Sequence, residues 1–312
     1  MFPIMNARDR PTVRHLETLV AVADHGSFRR AAASLGMSQP ALSAQVQGAE
    51  ELLGVQVFER DRRSVLVTPA GEDVVGRARE ALASIDAVGD AARRRSAPLV
   101  GPLRLGVIPT IAPYWLPALL PPVRAKYPKL ELILREEQTH RLLAQLGAGQ
   151  LDAALLAIPI PGDFTATEIA RESFVLASPK GSPLAKKKRV TDRDLDDATV
   201  LLLEDGHCLR DQALAVCDRG GAVESMEVRA TSLPTLVQMV AGGLGVTLLP
   251  EAAAAALVQP RGAIAIAEFA APKPGRTIGL AWRTSSARLL EFRALAETLR
   301  GASDKFLARL RG

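Results

Sequence analysis

The chain has 312 residues, 48% of them hydrophobic and 23% charged, which suits two or three domains with real cores and excludes a wholly disordered protein. No run of about 18 apolar residues occurs, so no membrane-spanning helix is expected. The first eleven residues, MFPIMNARDRP, lack the apolar segment of a secretory signal, and the expected address is the cytoplasm.

Two cysteines, Cys208 and Cys217, are too few for a disulfide framework, and in a reducing compartment they should rest as thiols. The formal charge of +5 permits a nucleic-acid partner without requiring one. Residues 1–95 hold 13 Arg and no Lys against 12 acidic residues, so any basic footprint there must come from local placement.

Leu16, Leu19, Val20 and Ala23 repeat at helical spacing. Gly26 breaks that helix, and Ser27 can cap the next, whose buried stripe is Phe28, Ala31, Ala32 and Leu35. Gly36 and Met37 make a tight turn. Ser38 is a good N-cap, and Pro40 falls in the first turn of a third helix, where a missing N–H is harmless. Leu42, Val46 and Leu53 continue the apolar face. Two short helices joined by a Gly-containing turn describe a helix-turn-helix.

Residues 55–68 then read as a small hairpin wing with arginines near its tip. Thr68, Pro69 and Glu72 restart a helix, in which Val74, Ala78, Ala81, Ile85, Val88 and Ala92 form a stripe. A long helix in this position wants a partner, and a dimer helix is expected. The segment 96–102, SAPLVGP, reads as a linker. Beyond it, strands at 103–108, 130–134, 151–157, 173–178, 199–203, 245–249 and 278–282 alternate with helices at 114–126, 139–147 and 232–242. That alternation indicates parallel βαβ units in two lobes, with crossings near 157–173 and 270–278.

On the third helix Ser38, Gln39, Ser43 and Gln45, with Pro40 among them, face away from the apolar stripe and suit base edges and phosphates in a major groove. Arg29, Arg30, Arg62 and Arg63 are candidate phosphate contacts. Read with the wing and the long helix, residues 12–95 resemble the N-terminal part of LysR-type transcriptional regulators. The resemblance implies three parts: a winged helix-turn-helix over 1–68, a linker and dimerisation helix over 69–98, and a two-lobed α/β regulatory domain over 99–312. The last would resemble periplasmic binding proteins and close around a signal at its cleft.

A second constellation is EDGHCLRDQALAVC, residues 204–217. A thiolate rather than a thiol attacks peroxide, so a reactive site must favour thiolate. His207, Arg210 and a helix start after Gly206 act in that direction; Glu204 and Asp205 oppose it. Nine residues of helix advance about 13.5 Å, whereas a disulfide needs Cα atoms within about 7 Å. If 208–217 is helical when reduced, joining Cys208 to Cys217 requires the segment to refold, as a redox switch does. Two passive buried cysteines are the alternative, and that description suits Cys217 better than Cys208.

The same run, with 229–250, 106–117, 136–157 and RTIGLAWR at 276–283, closely resembles the peroxide-sensing members of the LysR family over essentially the whole chain. The resemblance implies that Cys208 attacks peroxide and Cys217 resolves it, and that Thr110, Thr139, His207 and Arg283 surround the peroxide, with Arg210 beside them. It also implies a homotetramer built as a dimer of dimers, promoter DNA and RNA polymerase as partners, hydrogen peroxide as signal, antioxidant genes as targets, and no cofactor. From the residues alone, capping is an equally natural role for Thr110 and Thr139. Zinc on His140, His207, Cys208 and Cys217 is disfavoured, because ligands at adjacent positions are awkward and no CxxC knuckle is present. A regulator binding a small molecule in the cleft, and a thiol peroxidase, stay open as alternatives. His15 and His25 read as ordinary surface or packing residues.

Overall fold

The computed structural model describes residues 10–60, 65–93, 99–259 and 262–311. The chain divides into two compact units, Met1–Ser96 with Gly147–Gln150, and Ala97–Leu146 with Leu151–Gly312.

The first unit opens with α1, Val13–His25, whose N-cap Thr12 accepts from the His15 backbone while His15 Nδ1 accepts from Thr12 N–H. His15 is therefore part of a capping box rather than a passive surface residue. Gly26 closes α1 at φ +55°, a left-handed conformation that favours glycine. Ser27 caps α2, Phe28–Ser34, and Ser38 caps α3, Gln39–Leu53, with Pro40 in its first turn, as the sequence suggested. Leu19, Val22, Phe28, Ala31, Ala32, Leu42, Val46 and Ala49 form one core.

The hairpin pairs β1, Phe58–Arg60, with β2, Val65–Val67, in antiparallel register. The Glu50 carboxylate accepts from the backbones of Val57 and Phe58 at 2.8 and 3.0 Å and so ties α3 to the root of the wing. Thr68 caps α4, Pro69–Arg93. Val75 and Ala78 are buried, whereas Ile85 and Val88 are exposed at 43% and 71%. An ion pair joins Arg79 of α4 to Asp24 of α1. The buried side of α4 near its start thus includes Val75, one residue on from the expected Val74, because that face turns toward α1.

In the second unit β3, Gly101–Val107, leads through α5, Ala112–Lys126, to β4, Leu130–Glu136; α6, Thr139–Gly147, leads to β5, Ala153–Ile158. β3 pairs in parallel with both β4 and β5, the expected βαβ arrangement. The next strand, β6, Phe164–Pro179, corrects the reading of a wholly parallel sheet. It begins nine residues before the expected 173, through a stretch rich in polar residues that resembled a connection. Later come β7, Arg189–Val190, β8, Thr199–Leu203, α7, Cys208–Gly220, β9, Val223–Ala230, and α8, Leu233–Ala241. The chain ends with β10, Thr247–Pro250, α9, Glu251–Leu257, β11, Ile264–Phe269, β12, Gly275–Arg283, and α10, Leu289–Arg311.

The large sheet has the order β4-β3-β5-β12-β6-β11-β7, with β10 also on β6. β12 pairs antiparallel with β5 and with residues 164–173 of β6, while β10 and β11 pair antiparallel with its second half. The first crossing segment is therefore one long strand, β6, whose two halves pair with different partners. β8 and β9 form a separate parallel pair that carries α7 between them. The core sits on both faces of the large sheet, with Trp115, Phe174, Phe269, Trp282 and Phe292 fully buried.

Candidate functional site

The loop 204–207 leaves β8 and delivers Cys208 to the first position of α7, next to the N-cap His207. Unpaired backbone N–H groups at a helix start favour negative charge, the property a reacting sulfur needs. Gly206 has φ +93°, and a Cβ there would stand 2.8 Å from Gln138 Oε1, so both backbone conformation and space select glycine.

Around Cys208 close Ile108, Pro109, Thr110, Gln138, Thr139 and His207. The space between these atoms is narrow, about 160 Å³. The structure thus brings together four of the expected residues: Thr110, Thr139, His207 and Cys208. Thr139 occupies the first position of α6 and caps nothing; its Oγ1 is buried with no hydrogen-bond partner. A buried hydroxyl without a partner costs about 1–3 kcal/mol, so a polar guest would be welcome there. Burial pushes His207 below its ordinary value and so toward the neutral imidazole, with Glu204 at 3.9 Å opposing the shift.

Two expected members stand elsewhere. Arg210 lies on α7 with both guanidinium edges engaged: it donates to Glu224 at 2.8 and 3.1 Å and pairs with Asp205 at 2.9 Å. These carboxylates raise it above its ordinary value and absorb its charge. Its role is to fasten α7 to β9 and to the 204–207 loop. Arg283 donates to the Leu146 and Leu151 carbonyls at 2.6 and 2.7 Å. The arginine that reaches the site is Arg276, seven residues earlier on β12, or about 23 Å away at strand rise.

Arg276 donates to Thr110 Oγ1 at 2.7 Å and to the Thr110 carbonyl at 2.9 Å. It is fully buried and paired with Glu172 at 2.8 Å, whose carboxylate also accepts from Trp115 Nε1 and Ala252 N–H. This network fixes Thr110 from behind. Sequence reasoning missed Arg276, Glu172 and Glu224. The available signal was a charge at each end of the buried strand RTIGLAWR, which does not say which end meets the site.

Cys217 is buried on the same helix, and both cysteines are free. Burial foremost, with Asp218 assisting, pushes its thiol up to about 11. At 1.5 Å per residue the two Cα atoms are separated by about 13.5 Å along the axis, beyond disulfide reach. Among the described residues no group of three His, Cys, Asp or Glu side chains is placed to hold a metal.

In the first unit Ser38, Gln39 and Pro40 are exposed at the start of α3, and Ser43 and Gln45 are half-buried further along it. Arg29 and Arg30 are exposed on α2, with Arg30 donating to the His25 carbonyl. Arg62 and Arg63 lie outside the described residues.

A capped helix pair with a hairpin wing, a long helix and a two-lobed α/β unit define a DNA-binding regulator. Residues 13–72 match the family described as bacterial regulatory helix-turn-helix protein, lysR family, and residues 96–304 match the LysR substrate binding domain. The chain belongs to the LysR family. A probable hydrogen peroxide-inducible genes activator of Streptomyces viridosporus is 47% identical over 298 residues, 95% of each chain. The DNA-binding transcriptional dual regulator OxyR of Escherichia coli is 43% identical over 94% of this chain and 96% of its own. Among solved structures, a full-length OxyR variant from Pseudomonas aeruginosa superposes with a TM-score of 0.79 at 36% identity, covering 93% of this chain and 95% of that one. A hydrogen peroxide-bound OxyR variant from Corynebacterium glutamicum gives 0.68 at 37% identity, covering 97% and 95%.

Proposed function

We propose that this chain is a cytoplasmic transcription regulator that senses hydrogen peroxide at Cys208 and stores the signal as a Cys208–Cys217 disulfide. The observation that carries this reading is the pair of free cysteines on one helix, the first in a polar pocket and the second buried. The names of the relatives support the same signal.

The Cys208 sulfur attacks one peroxide oxygen; the S–O bond forms, the O–O bond breaks, and one water leaves with a sulfenic acid behind. Thr110, held by Arg276, and the unpartnered Thr139 hydroxyl hold the peroxide, with His207 as a further hydrogen-bond partner. Cys217 then attacks the sulfenic sulfur and a second water leaves. The distance along α7 requires its first turns to unwind before that bond forms, and Arg210 must release Glu224. This repacking changes subunit contacts and the spacing of the DNA-binding heads on two half-sites.

Ser38, Gln39, Pro40, Ser43 and Gln45 enter the major groove, with Arg29, Arg30, Arg62 and Arg63 on phosphates. Dimerisation through the exposed side of α4, a dimer of dimers, contact with RNA polymerase and antioxidant target genes rest on the likeness to the family.

Peroxide titration followed by disulfide mapping tests the reading. A Cys208–Cys217 disulfide forms at about one oxidation per reduction cycle, and Cys208→Ser binds DNA but no longer responds. Peroxide-independent calorimetric binding of a metabolite, with both thiols intact, would replace it with a ligand-responsive regulator. Many turnovers with a reductant would instead make it a thiol peroxidase.

A further inference from the structure

A second cavity, of about 250 Å³, lies directly beside the Cys208 pocket. Pro109, Thr110 and His207 line both. Beyond those three residues the walls are mostly apolar: Pro113 of α5, Leu203 at the end of β8, Leu233 and Pro234 at the start of α8, and Leu257 at the end of α9, with Tyr114, Glu136 and Ser232 as the polar members. Apolar cavities of about 150 Å³ already take up benzene. Hydrogen peroxide, polar at both ends, has no use for such a wall.

We infer that Cys208 also accepts neutral organic hydroperoxides, whose alkyl or aryl group lodges in this apolar cavity while the –OOH end enters the narrow pocket. The inference rests on the peroxide reading above and extends it to a second substrate class. Thr110 and His207 stand at the boundary where the polar end must meet the apolar tail. Glu136 also lines the cavity, so a tail bearing a carboxylate is disfavoured by like charge. The Tyr114 phenol, pushed up to about 12 by burial and by Glu136, stays neutral and adds no second negative charge.

The chemistry balances without a further reactant. The Cys208 sulfur bonds to the terminal oxygen, the O–O bond breaks, and the departing alkoxide keeps the electron pair and takes the thiol's proton. The products are the sulfenic acid and an alcohol. Cys217 then resolves the sulfenic acid as before, with loss of water.

The test compares cumene hydroperoxide with hydrogen peroxide on the full chain, following Cys208 oxidation by quenched mass spectrometry. The wild type is oxidised by both. Leu257 is only half-buried, so its size can be changed at the cavity wall. Leu257→Phe, which fills the cavity, slows cumene hydroperoxide about tenfold or more and leaves hydrogen peroxide unchanged, while Leu257→Ala does not slow either. Oxidation by hydrogen peroxide but not by cumene hydroperoxide overturns this inference and leaves the sensor reading intact. Oxidation by neither overturns both. If Leu257→Phe slows the two peroxides equally, or slows neither, the tail does not use this cavity and the inference fails.

Discussion

Replacing Glu224 with glutamine removes the charge that holds Arg210, and with it the fastening of the first turns of α7. The native pair is bidentate, at 2.8 and 3.1 Å, between side chains only 9% and 22% exposed. A hydrogen bond to a charged group contributes about 1.5–3 kcal/mol. Asp205 still engages the guanidinium, at 2.9 Å, but its own side chain is 75% exposed and contributes little. The disulfide form must release the pair whichever partner is present, so Glu224→Gln destabilises the reduced form selectively. For a two-electron couple about 1.4 kcal/mol corresponds to 30 mV, and the Cys208–Cys217 midpoint moves about 30–60 mV more negative. Titration in glutathione buffers, with the two forms separated by alkylation, measures it directly. A midpoint that stays in place, or moves positive, would show that Arg210 keeps its partner through the switch and would refute the unwinding argument.

The Cys217 thiol, shifted from 9.0 to about 11, is alkylated by iodoacetamide at pH 8 about a hundredfold more slowly than an unshifted thiol. Because its folded-state value is the higher one, its contribution to stability is full below about pH 9 and disappears as pH rises toward 11; a flat melting temperature across that window would contradict the shift. Gln45→Ala weakens binding to preferred promoter sites by about 1–3 kcal/mol in a fluorescence titration and leaves random DNA little affected, whereas equal loss on every sequence would remove Gln45 from base reading. Val88→Asp, on the exposed side of α4, lowers the oligomer mass in analytical ultracentrifugation with the circular dichroism spectrum retained; an unchanged mass would move the dimer contact elsewhere.

Local features were legible wherever neighbouring residues determine them. The caps Ser27, Ser38 and Thr68, the Gly26 stop and the paired hairpin follow from chemistry within a few positions, and all are found. The parallel strands β3, β4 and β5 were readable as short apolar runs between helices. The helical separation of Cys208 and Cys217 was readable too, because residue count along a helix is distance.

Long-range pairing decided the rest. Residues 164–172 read as a connection because their polar character suits a loop, and only the β12 partner makes them a strand. RTIGLAWR carries arginines at both ends, and nothing local separates Arg276, which holds Thr110, from Arg283, which holds two carbonyls of another loop. Arg210 resembled an activator of the thiol until its carboxylate partner, fourteen residues away on β9, came into view. Sequence alone determined which reactive groups the chain owns and how they are spaced along each helix. Charge compensation and hydrogen-bond partnership depend on residues far apart in the chain, so the folded sheet decided which of those groups meet.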